Sequence, residues 1–191
     1  MGPYTRVGLD YSMTGPAITI CNSHNPNDFH IDNCLIYFMT DTKRYQGGFC
    51  NSRIIGQPLL PWKTDMERYD MISDFFMGIL HFYKETEIKM MIEGYAMGAR
   101  GLVFHIGENT GIIKHKLFKQ GISFDVMPPT RVKKLATGNG HADKNMMYDS
   151  FVKETGIDLR KELCYTKTDI SSPIGDIVDS YYICKALNEP K

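Results

Sequence analysis

No apolar run in this chain approaches the ~18 to 20 residues needed to cross a bilayer, and the first residues pass almost at once into a strand pattern without a signal-peptide core. A soluble, intracellular protein with no membrane partner is expected. The five cysteines (Cys21, Cys34, Cys50, Cys164 and Cys184) are odd in number, widely spaced and without a CxxC pair. That spacing argues against a disulfide framework or a zinc ribbon and for a reducing compartment. Net charge is also missing: 22 Lys and Arg balance 22 Asp and Glu, so bulk charge selects no partner. Internal repeats, low-complexity tracts and linkers are absent, and 191 residues can bury one sizeable core. Residues 1–191 are therefore expected to form a single α/β domain.

What is present is an uneven distribution of charge. Residues 111–144 carry seven basic side chains against two acidic ones, a local excess of +5 balanced by −5 elsewhere. A basic flank beside an acidic remainder suits a polyanion held next to a carboxylate site. A lysine-rich, solvated surface is the plainer explanation.

The chain begins with three strand patterns, at residues 4–10, 16–21 and 34–39, which predict an antiparallel meander with Asp10 at the tip of the first strand. Residues 40–63 read as a long loop, with Gly47, Gly48, Pro58 and Pro61 among its residues. It contains the single tryptophan, Trp62, expected to anchor the loop to the core. Thr64 and Glu67 form a capping box ahead of an amphipathic helix over 65–85. A buried strand over 88–93 ends in Glu93, a helix follows over about 102–119, and 122–126 is a fifth strand. A short helical segment after Pro128-Pro129, a helix from Asp143 to about Glu154, an irregular stretch over 157–172 and a last helix to Leu187 complete the order. The expected sheet thus has five strands, three in the meander and two further ones, flanked by helices.

In the last helix Asp176 and Asp179 share a face with Ile183 and Leu187. Acids in a first turn are favoured by the helix dipole alone. A half-buried carboxylate pair, by contrast, needs a compensating cation. If the first and fourth strands are neighbours, Asp10 and Glu93 project at one sheet edge, where the start of the last helix can add its two acids. Four carboxylates repel at short range, and oxygen-only donors suit Mg²⁺ or Mn²⁺. Two such ions about 4 Å apart can activate water and stabilise the leaving oxygen of a phosphodiester.

Gly8-Leu9-Asp10 with Thr14-Gly15, Ile92-Glu93-Gly94, Val132-Lys133, the run Thr137 to Lys144, and Asp176-Ile177-Val178-Asp179 together resemble the RuvC family of Holliday junction resolvases, within the ribonuclease H-like fold. The resemblance covers nearly the whole chain in order. It implies a metal-dependent endonuclease, two ions per active site and no organic cofactor, acting as a homodimer on branched DNA and nicking two opposing strands of a four-way junction. Asp10, Glu93, Asp176 and Asp179 match its catalytic acids, and Lys133 and Lys144 its two functional lysines. With Arg131, Lys134, Arg100 and Tyr95 these lysines make up the candidate DNA contacts. The family's junction-opening aromatic falls three residues after the glutamate, where this chain has Ala96; Tyr95 and Phe104 are the candidates in its place.

Gly8-Leu9-Asp10-x-Ser12-x-Thr14-Gly15 also resembles the first phosphate loop of actin-like ATPases and sugar kinases, which requires a second domain that 191 residues leave no room for. A non-catalytic junction binder has no reason to keep four mutually repelling acids. A nuclease of broader taste, cutting flaps, three-way branches or RNA-DNA hybrids, is the nearer alternative.

Overall fold

The alternating apolar residues of the first strand decide how the layers are built. In the computed structural model, which describes residues 4–25, 28–95 and 103–188, β1 (Tyr4–Asp10) turns Val7 and Leu9 into one core and presents Gly8 to the opposite face. β1 pairs antiparallel with β2 (Ala17–Ser23), and β2 with β3 (Cys34–Thr40), as the strand patterns predict.

The stretch 40–63 departs from its expected loop. It contributes β4 (Gly47–Phe49) and β5 (Ile54–Pro58), which raise the sheet from the expected five strands to seven. β5 runs parallel to β3, with Ile36 opposite Ile54 and Phe38 opposite Gly56. Gly56, which counts as a breaker in isolation, lets the carbonyl of Tyr45 pack where a Cβ would collide with it. These strands are specified by long-range pairing rather than by local propensity.

β6 (Glu87–Glu93) lies parallel to β1, and β7 (Phe124–Met127) parallel to β6. The order is β4-β5-β3-β2-β1-β6-β7. Since β1, β3, β5, β6 and β7 point the same way, their C-terminal ends, including Asp10, Pro58 and Glu93, share one edge.

Helices cover both faces. α1 (Asp65–His81) opens with the predicted capping box, and with α2 (Val103–Lys119) it packs on Leu9, Ile18 and Ile92. α1 ends at His81 rather than at 85, where the Phe82 and Tyr83 N–H groups turn back onto Ile79 and Leu80. On the other face lie α3 (Pro129–Thr137), α4 (Lys144–Thr155), the short α5 (Leu159–Glu162) and α6 (Ile174–Lys185), packed on Ile36, Phe38 and Met91. Ten of the twelve α6 residues are buried, so its acids do not sit on a solvated face. Full burial of Ile177 and Ile183 alone contributes about 1.5–3 kcal/mol each. Among the described residues, no helix is long and apolar enough to cross a membrane.

Trp62 does not enter the core. It is 39% exposed, and the Arg68 guanidinium lies 4.2 Å from its ring centre. The prolines on the approach from β5 and the cap at Thr64 hold this segment at the sheet edge rather than over a face.

Candidate active site

Three elements that are distant in sequence bring the four acids to one place. β1 and β6 are hydrogen-bonded neighbours, with Leu9 beside Ile92, so Asp10 and Glu93 leave adjacent strand ends. α6 crosses the same strands very closely. A Cβ at Gly8 would collide with the Ser180 carbonyl and the Cys184 N–H, and Ser180 is hydrogen-bonded to Thr19 at 2.9 Å in the fully buried layer between helix and sheet. That approach sets Asp176 and Asp179, in the first two turns of α6, against the strand ends.

The start of α6 is fixed from two sides. The Tyr165 hydroxyl accepts the Ser171 N–H at 2.9 Å, and the Ile170 N–H donates to Asn145 of α4 at 3.0 Å, so the stretch expected to be irregular is pinned. Gly15, in the turn after Asp10, packs against Ser172 and the Asp176 carboxylate with no space for a side chain. Gly175 packs likewise against Lys144, whose Nζ lies 3.0 Å from the position of an added Cβ. Lys144 is the first residue of α4, after the Asp143 cap, whose side chain accepts the Met146 N–H at 2.8 Å.

The electrostatics follow from this packing. Asp10 and Asp176 are buried, while Glu93 and Asp179 keep partial exposure at the rim. Burial pushes the Asp10 carboxyl well above the usual carboxylate range, and the charges of Glu93, Asp176 and Asp179 push it further, against Lys144. Burial, with Asp179 and Asp176, raises Glu93 to about 8 despite Lys144 and Lys133. Asp176 rises to about 6 through burial, opposed by Ser172 and Lys144, and Asp179 to about 6 through burial and Asp176, opposed by Lys144 and Lys133. The four acids therefore face one another, and the two lysines are the cations set against them.

The donor set suits a hard divalent cation: all oxygen, with the Asp176 Oδ2 buried and without a hydrogen-bond partner. As the side chains stand, no three His, Cys, Asp or Glu among the described residues are gathered closely enough to hold a metal ion. A cleft of about 270 Å³ opens beside Asp10 and Glu93, lined also by Tyr11, Met13, Tyr95, Ile106 and Thr110. The last two, on α2, carry no motif and were invisible to pattern. The roles of Gly8 and Gly15 also depend on distant neighbours, although both stand inside the motif around Asp10.

The remaining candidates divide. Tyr95 lies at the cleft mouth, 42% exposed, with the Lys114 ammonium 4.8 Å from its ring centre. Phe104 is 85% exposed at the start of α2. Arg131 lines a separate groove along β6 and β7, and Lys134 is exposed on α3; neither belongs to the acid cluster. His141 is an exposed loop residue, its N–H donating to Asn139. Ala96 and Arg100 lie outside the described residues.

No family model matches this chain, and no curated protein sequence does. Solved structures match over nearly all of it. The structure of Thermus thermophilus RuvC aligns with a TM-score of 0.54 and 16% identity, over 95% of this chain and 92% of that one. T. thermophilus RuvC in complex with Holliday junction substrate aligns with a TM-score of 0.60 and 14% identity, over 97% and 95%. The chain has the RuvC fold. At such identity the likeness is one of architecture, and the RuvC comparison extends across both helical layers and the sheet between them.

Proposed function

We propose that this chain is a divalent-metal-dependent endonuclease that resolves four-way DNA junctions by paired nicks, working as a homodimer. The observation that carries the reading is the convergence of Asp10, Glu93, Asp176 and Asp179 from three elements onto one sheet edge, opposed by Lys144 and Lys133. The shared RuvC fold, one of whose solved examples holds a Holliday junction, supports it.

Asp10, Glu93, Asp176 and Asp179 would hold two Mg²⁺ or Mn²⁺ ions, which when bound supply an activated water and stabilise the leaving oxygen. Lys144 lies against Gly175 beside the acids, where its ammonium offsets the charge of the scissile phosphate. Its place in the first turn of α4 adds backbone N–H groups and the positive end of the helix. Lys133 faces Glu93 and Asp179 from α3, and with Lys134, Arg131 and Arg100 it grips the flanking backbone. Tyr95 stacks at the cleft mouth. The products are a 5′-phosphate and a 3′-hydroxyl.

The dimer reading rests on α2. Phe104 and Phe118 are 85% and 76% exposed, and between them Gly107 and Gly111 have open space where a side chain would be, a surface that lets another helix approach closely.

Labelled four-way, three-way, flap and RNA-DNA hybrid substrates, incubated with Mg²⁺ or Mn²⁺, test the activity. The four-way junction is expected to be nicked preferentially. Asp10→Asn is expected to abolish nicking while leaving junction binding intact. Retained cleavage by that variant refutes the site, and equal cutting of all four substrates replaces the junction reading with a broad branch nuclease.

A further inference from the structure

The segment between β5 and α1 has the features of a base-stacking element. β5 ends at the same sheet edge as Asp10, and beyond it Leu60 and Trp62 stand 56% and 39% exposed, with Met66 54% exposed in the first turn of α1. An indole on a soluble surface is costly to leave there without a partner, and this one is held in position rather than loose. The Glu67 carboxylate accepts the N–H groups of Lys63 at 2.7 Å and Thr64 at 3.3 Å, which fixes the backbone just after the ring. Arg68 lies over the ring at 4.2 Å from its centre, and its Nη2 donates to the Met13 carbonyl. Met13 belongs to the turn that follows Asp10. One guanidinium thus ties the indole to the loop beside the acid cluster. Lys63, next to the ring, makes no ion pair among the described residues, so a cation accompanies the aromatic surface.

We propose that Trp62 stacks on an unpaired nucleobase of the DNA held at the acid cluster, with Arg68 as the residue that positions the ring. The assignment rests on the endonuclease reading above. Aromatic stacking suits any base, but only one whose face is free; bases inside an intact duplex already stack on both sides. A ring at this place therefore favours DNA with an open branch point, without a base-specific hydrogen bond.

Trp62 is the only tryptophan in the chain, so emission excited at the red edge, beyond tyrosine absorption, reports on it alone. In EDTA, where cleavage is blocked, a fluorescein-labelled four-way junction of synthetic oligonucleotides is titrated with the full chain while anisotropy and tryptophan emission are both recorded. Quenching in step with the rise in anisotropy is expected, with little quenching by an intact duplex of equal length. Trp62→Ala is expected to weaken junction binding about 10-fold, as for loss of one stacked base, and Trp62→Phe to restore part of it. A rise in anisotropy without quenching overturns the assignment, as does wild-type binding by Trp62→Ala. Emission that changes with protein concentration in the absence of DNA assigns the patch to self-association and overturns it too. If anisotropy never rises, the endonuclease reading itself fails and the stacking assignment falls with it.

Discussion

Asp176 is oriented by the lack of a side chain opposite it. Gly15 abuts Ser172 and the Asp176 carboxylate, so the turn after one acid forms the wall against another. Gly15→Ala places a methyl group in that contact. It is expected to slow single-turnover cleavage by about 100-fold, the scale of a misplacement near 1 Å, with a smaller effect on the thermal midpoint, because the Cβ meets the polar ends of Ser172 and Asp176 rather than the apolar core. An unchanged rate refutes this positioning. The acids themselves were legible in the sequence because each ends a recognisable pattern: Asp10 and Glu93 close apolar strands, and Asp176 and Asp179 share an otherwise apolar helix face. What Gly15 touches was not legible, since Ser172 and Asp176 lie more than 150 residues away.

At the scale of elements, the meander and the capping box of α1 follow from local signals that tertiary structure did not override, whereas the neighbourhood of β1 and β6, only a condition in the sequence, is made by long-range parallel pairing. β4 and β5 escaped because glycine and proline dominate their stretch, while the pairing that makes them strands comes from β3. Trp62 was misjudged for a related reason: size and apolarity favour burial, but its place between two capped or proline-marked boundaries left it at the edge. The helix α2 carries its own prediction. If its open face joins two copies, the double substitution Phe104→Glu, Phe118→Glu is expected to give a monomer by sedimentation, with the thermal midpoint measured alongside to exclude unfolding. Wild-type chain sedimenting as a monomer at micromolar concentration removes this interface.

For the whole molecule, the acid cluster makes stability depend on pH in an unusual direction. Glu93 is raised to about 8 and Asp176 and Asp179 to about 6, so between pH 4 and 8 the folded chain keeps protons that the unfolded chain has released. Stability then falls as pH rises, by up to about 1.4 kcal/mol per pH unit for each proton so held. In EDTA the thermal midpoint is expected to drop from pH 5 to pH 8, and Mg²⁺ to restore more of it at pH 8, where the carboxylates are free to bind it. A midpoint that climbs over this range in EDTA, or a Mg²⁺ effect larger at pH 5, contradicts the cluster described here.

The order in which the acids occur along the chain has a consequence for synthesis. Asp10 precedes Glu93 in the chain, and Asp176 and Asp179 follow both, on the helix that closes over Gly8. Until that helix has emerged and docked, a nascent chain holds only half of the constellation, and a chain cut short before residue 176 never acquires the other half. With the cluster as the cutting site proposed above, a copy able to break DNA has been read past residue 179.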